Sequence, residues 1–129
     1  MILDTNALSA FLKNEPGIDA VVAEATSLFV PVIVTGEYRY GLQRSARRAT
    51  LTAKLEAFLA DVRILVIDEA TSRVYAVVRD ELRAAGTPIP ENDVWIASLA
   101  RQNALPLLSD DAHFDHVAGV DRRSWRPNP

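Results

Sequence analysis

The chain has 129 residues, 14 basic and 17 acidic side chains, and a formal net charge of −3. That length suits a single domain over residues 1–129, with roughly two-thirds of the unfolded surface buried on folding. The lack of cysteine excludes disulfides, thiolate zinc sites and cysteine nucleophiles, and no apolar run is long enough to span a bilayer.

The start of the chain has no basic region, and Asp4 interrupts its apolar run. No signal peptide is therefore expected, and the reading is a soluble, cytoplasmic protein with no membrane partner. Nucleic-acid binders are more often basic than this chain. A cluster of carboxylates offset by a metal ion would remove that objection. Lys13 and Lys54 are the only lysines, and the arginines that make up the rest grip phosphate in fixed geometry.

Met1 to Leu3 is too short for an amphipathic helix and reads as a buried first strand. Asp4 falls at its carboxyl end. Thr5 and Asn6 suit a helix start, and Leu8, Phe11 and Leu12 form the apolar face that follows. Chemistry in open α/β sheets gathers where strands end, but Asp4 would serve equally well as a helix cap. Pro16-Gly17 breaks this helix, and Ile18 to Ala25 predicts a second one. Leu28 to Val30 predicts a second strand, and Pro31 precedes a long helix over Val32 to Arg48. Gly36 and Gly41 within it mark close approach by another backbone or a ligand.

Thr50 is the expected cap of the next helix, whose stripe runs through Leu51, Leu55, Phe58, Leu59 and Val62. Ile64 to Ile67 reads as a buried third strand. Thr71 to Ala85 predicts a helix closed by Gly86. Asn92 is the expected cap of a helix reaching Asn103. Leu105 to Leu108 predicts the fourth strand, Val120 to Trp125 contains a short fifth, and Arg126 to Pro129 is a tail. Strands alternating with helices predict an α/β fold, with a mostly parallel sheet of four to five strands covered on both faces.

The acids at strand ends and helix starts are Asp4, Glu37, Asp93, and Asp110 or Asp111. A parallel sheet opens all of these elements at one edge. Carboxylates packed together repel, so such a cluster demands cations or protons. An all-oxygen set selects Mg²⁺ or Mn²⁺. His113 and His116 lack a third nitrogen or sulfur ligand and read as surface residues. Arg44, Arg47 and Arg48, like Arg122, Arg123 and Arg126, suit phosphate, a partner protein or plain solvent.

Four segments together carry a resemblance. They are Leu3-Asp4-Thr5-Asn6, Gly36 to Gly41, Asn92 to Ala97, and Leu108 to Phe114. In order and spacing they resemble the four motifs of PIN-domain ribonucleases, and in particular the small VapC-type toxins of toxin–antitoxin pairs. The resemblance implies a three-layer α/β/α PIN-like domain. It implies that Asp4, Glu37, Asp93 and Asp111 are both catalytic and metal-binding, with Mg²⁺ or Mn²⁺ as cofactor and Asn6 and Ser109 in support. Spacing to Phe114 favours Asp111 over Asp110 as the fourth acid. Tyr38 departs from the aliphatic residue usual after the glutamate. The implied activity is metal-dependent endoribonuclease cleavage by water. The implied partners are RNA, a VapB-like antitoxin and a second copy of the chain. The alternative is a PIN-like module that binds RNA or protein without cutting; a phosphoacceptor receiver domain is rejected because no lysine lies late in the chain.

Overall fold

The computed structural model describes residues 1–127, so Asn128 and Pro129 of the expected tail lie outside the described residues. Five short strands form one sheet: β1 (Ile2–Leu3), β2 (Phe29–Pro31), β3 (Arg63–Leu65), β4 (Leu107–Leu108) and β5 (Arg122–Arg123). Their order is β3-β2-β1-β4-β5, and every pairing is parallel. β1 lies at the centre, where Ile2 is in register with both Phe29 and Leu107.

Six helices cover the sheet: α1 (Thr5–Leu12), α2 (Ile18–Ala23), α3 (Val32–Leu42), α4 (Arg48–Leu59), α5 (Glu69–Ala84) and α6 (Glu91–Asn103). Alternation along the strands divides the core in two. Ile2 and Leu107 belong to the larger cluster, with Leu8, Val30, Leu55 and Ile96. Leu3 and Leu108 point the other way and pack with Met1, Ile18 and Trp125. The three-layer α/β/α arrangement follows, because a strand apolar on both faces must be covered on both.

Several expected boundaries move for local reasons. The helix after β2 stops at Leu42 and does not reach Arg48. The Ser45 hydroxyl accepts from the Arg47 N–H at 3.1 Å, and this turn separates α3 from α4. Thr50 is therefore inside the first turn of α4, not its cap. α5 begins at Glu69, before Thr71, because Asp68 and Thr71 make a reciprocal capping box. Pro90, not Asn92, precedes α6, and its carbonyl accepts from both Asp93 and Val94.

β3 differs most from expectation. It pairs only with β2 and forms a sheet edge. Ile64 and Val66 are 41% and 64% exposed. A continuous apolar run marks a strand, but nothing local tells a central strand from an edge.

Gly36 and Gly41 also depart from expectation. A Cβ added at either meets nothing within 4 Å. Gly17 is the constrained glycine: φ is +91°, and a Cβ there would lie 2.9 Å from the Trp125 carbonyl oxygen. Gly17→Ala should therefore cost about 1–3 kcal/mol. Gly36→Ala, in an open helical position, should stabilise by about 0.4–1 kcal/mol. Urea unfolding of the two variants checks the contrast; equal effects would mean that Trp125 does not seat against the Gly17 turn.

Candidate active site

β1 delivers Asp4 to the carboxyl edge of the sheet, where its side chain is 3% exposed. One carboxylate oxygen, Oδ1, accepts from the Thr5 N–H at 2.8 Å and so caps α1. The other, Oδ2, accepts from the Ser109 hydroxyl at 2.7 Å and from the Asn6 amide at 3.3 Å. Asp4 is thus a cap and a pocket acid at once. Ser109 closes β4, and its oxygen also accepts from the Asp111 N–H at 3.1 Å. Asn6 completes the link by accepting from the Asp110 N–H at 3.1 Å. These two residues fix the loop after β4 to the start of α1.

Glu37 enters from the second turn of α3 and accepts from the Thr5 hydroxyl at 3.1 Å. Asp93 enters from the first turn of α6. Asp111 precedes a short 3₁₀ turn, Ala112–His116. Asp4, Thr5, Asn6, Ser9, Glu37, Asp93 and Asp111 line one open cavity of about 310 Å³. Asp110 turns away from it, with a carboxylate oxygen 2.6 Å from an Arg126 nitrogen. Of the adjacent pair, it is Asp111 that faces the cavity.

Two contributors carry no assignment from sequence. Thr5 reads there only as a helix-starting residue. His113 is expected on the surface, but it is half-buried, with Nε2 2.8 Å from Asp93 Oδ2 and Nδ1 3.8 Å from Asp111 Oδ1. The shorter contact makes no directed hydrogen bond, and Nε2 is buried without a hydrogen-bond partner among the described residues. The signal is the interval from Asp111 to His113, which a search for paired histidines overlooks. His116 is exposed, as expected. Arg122 is also committed: it pairs with Asp115 and donates to the Ser109 carbonyl at 3.1 Å.

The acids destabilise one another's charge. Burial pushes Asp93 up to about 6, helped by Asp4, Glu37 and Asp111 and opposed by His113. Burial also raises Asp4, against the bonds from Ser109 and Thr5. Glu37 is raised by burial and by Asp4, while the Thr5 hydroxyl opposes. The donor set suits a divalent cation. One ligand atom each from Asp93, Asp111 and His113 falls within 4.8 Å of the others, and a cation there would favour the ionised Asp93 against its burial and the neighbouring acids.

A family profile described as PIN domain matches residues 1–120. The chain belongs to the PIN-domain family, among its VapC-type ribonucleases. It is 33% identical over 123 residues to Ribonuclease VapC5 of Mycobacterium tuberculosis, covering 92% of this chain and 88% of that one. It is 28% identical to the tRNA(fMet)-specific endonuclease VapC of Shigella flexneri, covering 96% of each. Its fold superposes with a TM-score of 0.74, at 28% identity, on VapBC-5, a member of the VapBC family of toxin-antitoxin systems from Mycobacterium tuberculosis. That match covers 95% of this chain and 94% of the other. Among the described residues, no helix is long and apolar enough to cross a membrane.

The raised acids set the sign of a pH effect. Asp93 holds its proton more tightly folded than unfolded, so its contribution is fully present below its unfolded value, near 3.8, and is lost as pH rises through about 6. Asp4 and Glu37 act in the same direction. Cation-free protein should therefore melt higher at about pH 5 than at about pH 7, and Asp93→Asn should shrink the difference. Calorimetric melts in chelator measure both. A melting temperature no higher at the lower pH would mean that burial and the neighbouring acids do not hold these protons in the folded state.

Proposed function

We propose that this protein is a metal-dependent endoribonuclease and the toxin of a toxin–antitoxin pair. The observation that carries the reading is the convergence of four carboxylates, from four distant segments, on one cavity with two of its acids contacted by His113. The ribonuclease names of its relatives support the same reading.

In this proposal Asp4, Glu37, Asp93 and Asp111 hold Mg²⁺ or Mn²⁺. The bound ion supplies an activated water and neutralises charge that builds on the scissile phosphate. The chain's own groups then have separate tasks. Ser109 and Asn6 orient the Asp4 carboxylate by donating to Oδ2, and the Ser109 bond opposes the burial that raises it. Thr5 steers Glu37 through its hydroxyl. His113 steadies the negative charge of Asp93 from 2.8 Å away. Products would carry 5′-phosphate and 3′-hydroxyl ends, because water and not the ribose hydroxyl attacks.

The partner in this reading is a VapB-like antitoxin. A solved relative is a member of the VapBC toxin-antitoxin family, which supports it. A homodimer of the toxin chain, a single domain over residues 1–129 and a cytoplasmic location belong to the same proposal.

The test is purified protein incubated with total RNA, with and without Mn²⁺, followed by mapping of the cut ends. Asp4→Asn and Asp111→Asn should each lower the rate by at least about a hundredfold, the upper end of the cost of losing even an outer-shell partner of a metal. Asp110→Asn should keep most of the rate. Cyclic phosphate ends formed in chelator would rule the mechanism out. Intact RNA with every ion would favour the binding-module alternative.

A further inference from the structure

A second cavity, of about 250 Å³, adjoins the acidic one and shares Thr5, Ser9 and Glu37 with it. It runs between α1 and α3, with Leu42 and Leu51 as apolar walls and Lys13 and Ser45 further along. Tyr38 lines this groove, is itself 6% exposed, and has a buried hydroxyl with no hydrogen-bond partner among the described residues. A buried phenol hydroxyl normally has a partner. Its lack of one points to a ligand that completes the site.

The cations around the groove are also unsatisfied. Among the described residues most arginines are ion-paired with a carboxylate. Lys13, Arg44, Arg47, Arg48, Lys54 and Arg63 are in none of these pairs; Lys54 donates to the Leu12 carbonyl, and Arg63 lies on the β3 edge and lines a different cavity. Lys13 lines the groove, and Arg44, Arg47 and Arg48 lie in or beside the α3–α4 turn that contributes Ser45. In a chain of net charge −3, free cations gathered beside an acidic cavity form a local field that attracts a polyanion.

We propose that this groove is the nucleobase subsite for the nucleotide beside the scissile phosphate, and that Lys13, Arg44, Arg47 and Arg48 carry the RNA backbone past it. The inference rests on the ribonuclease reading above. A flat base suits apolar walls with a polar group at one edge, and its edge would supply the partner that Tyr38 lacks. A partner helix, about 10–12 Å across, is too wide for so small a cavity.

The experiment measures RNA binding separately from cleavage. In an Asp4→Asn background, bulk tRNA and a mixed-sequence single-stranded oligoribonucleotide are titrated by fluorescence anisotropy over a range of salt. Combined Arg44→Ala, Arg47→Ala and Arg48→Ala substitutions should weaken binding about tenfold or more and flatten the salt slope by about 1 for each phosphate no longer neutralised. Gly41→Leu places a side chain where nothing lies within 4 Å of its Cβ, on the groove wall. It should fold normally and weaken binding. With Asp4 intact, Tyr38→Phe should raise KM with kcat held, and its melting temperature should stay or rise, because an unpaired hydroxyl is removed. Unchanged affinity and salt slope in these variants, with Asp4→Asn still inactive, would overturn the subsite and leave the nuclease reading standing. Weaker antitoxin capture with RNA binding intact would assign the groove to the antitoxin and overturn the proposal. No cleavage of any RNA by the wild-type protein would overturn both readings.

Discussion

The hydrogen bond from Ser109 to Asp4 joins the ends of the two central strands, and the site depends on it. Asp4 is almost wholly buried, and an ionised carboxylate there is costly unless it is bonded. Ser109 supplies one bond at 2.7 Å while its oxygen receives the Asp111 N–H. One hydroxyl therefore stabilises the first acid and positions the backbone of the fourth. Asn6 repeats the device with its amide and carbonyl. The two polar residues connect β1, β4 and the loop after β4 beneath the floor of the cavity.

Parallel topology makes that concentration possible. Every strand of the sheet ends at the same edge, so acids that follow different strands share one cavity. The surrounding frame is apolar and rigid. Tyr75 on α5 stacks on Trp95 of α6 with ring centroids 3.8 Å apart, which fixes the helix that carries Asp93. On the other face, Trp125 packs with Leu3 and Leu108, and its indole donates to Glu15 at 3.2 Å. The chain end thereby closes over the layer beneath the central strands. Arg122 ties the same end to Asp115 and to the Ser109 carbonyl.

Charge is distributed unevenly over this frame. Overall acidity is a poor guide to the partner, since four acids are gathered in one cavity and repel one another there. Elsewhere, arginines are mostly neutralised by nearby carboxylates, and such exposed pairs contribute little to stability. The unpaired cations gathered beside the groove are available to a polyanion. An acidic chain can in this way present one basic approach to an acidic centre.

The sequence by itself determined the order of elements, because apolar runs and helical periodicity are local properties. It also singled out Asp4, Glu37, Asp93 and the Asp110-Asp111 pair, since each falls at a strand end or helix start. Motif spacing favoured Asp111 of that pair, and the tertiary structure supplied the physical reason: Asp110 pairs with Arg126, which is adjacent in space but distant in the chain. It placed His113 beside Asp93, a contact between α6 and the turn after β4 that no periodicity encodes. It made β3 an edge strand, because burial depends on what the rest of the chain leaves uncovered. It also left the Tyr38 hydroxyl without a partner among the described residues, since hydrogen-bond satisfaction is a property of the packed molecule and not of a segment.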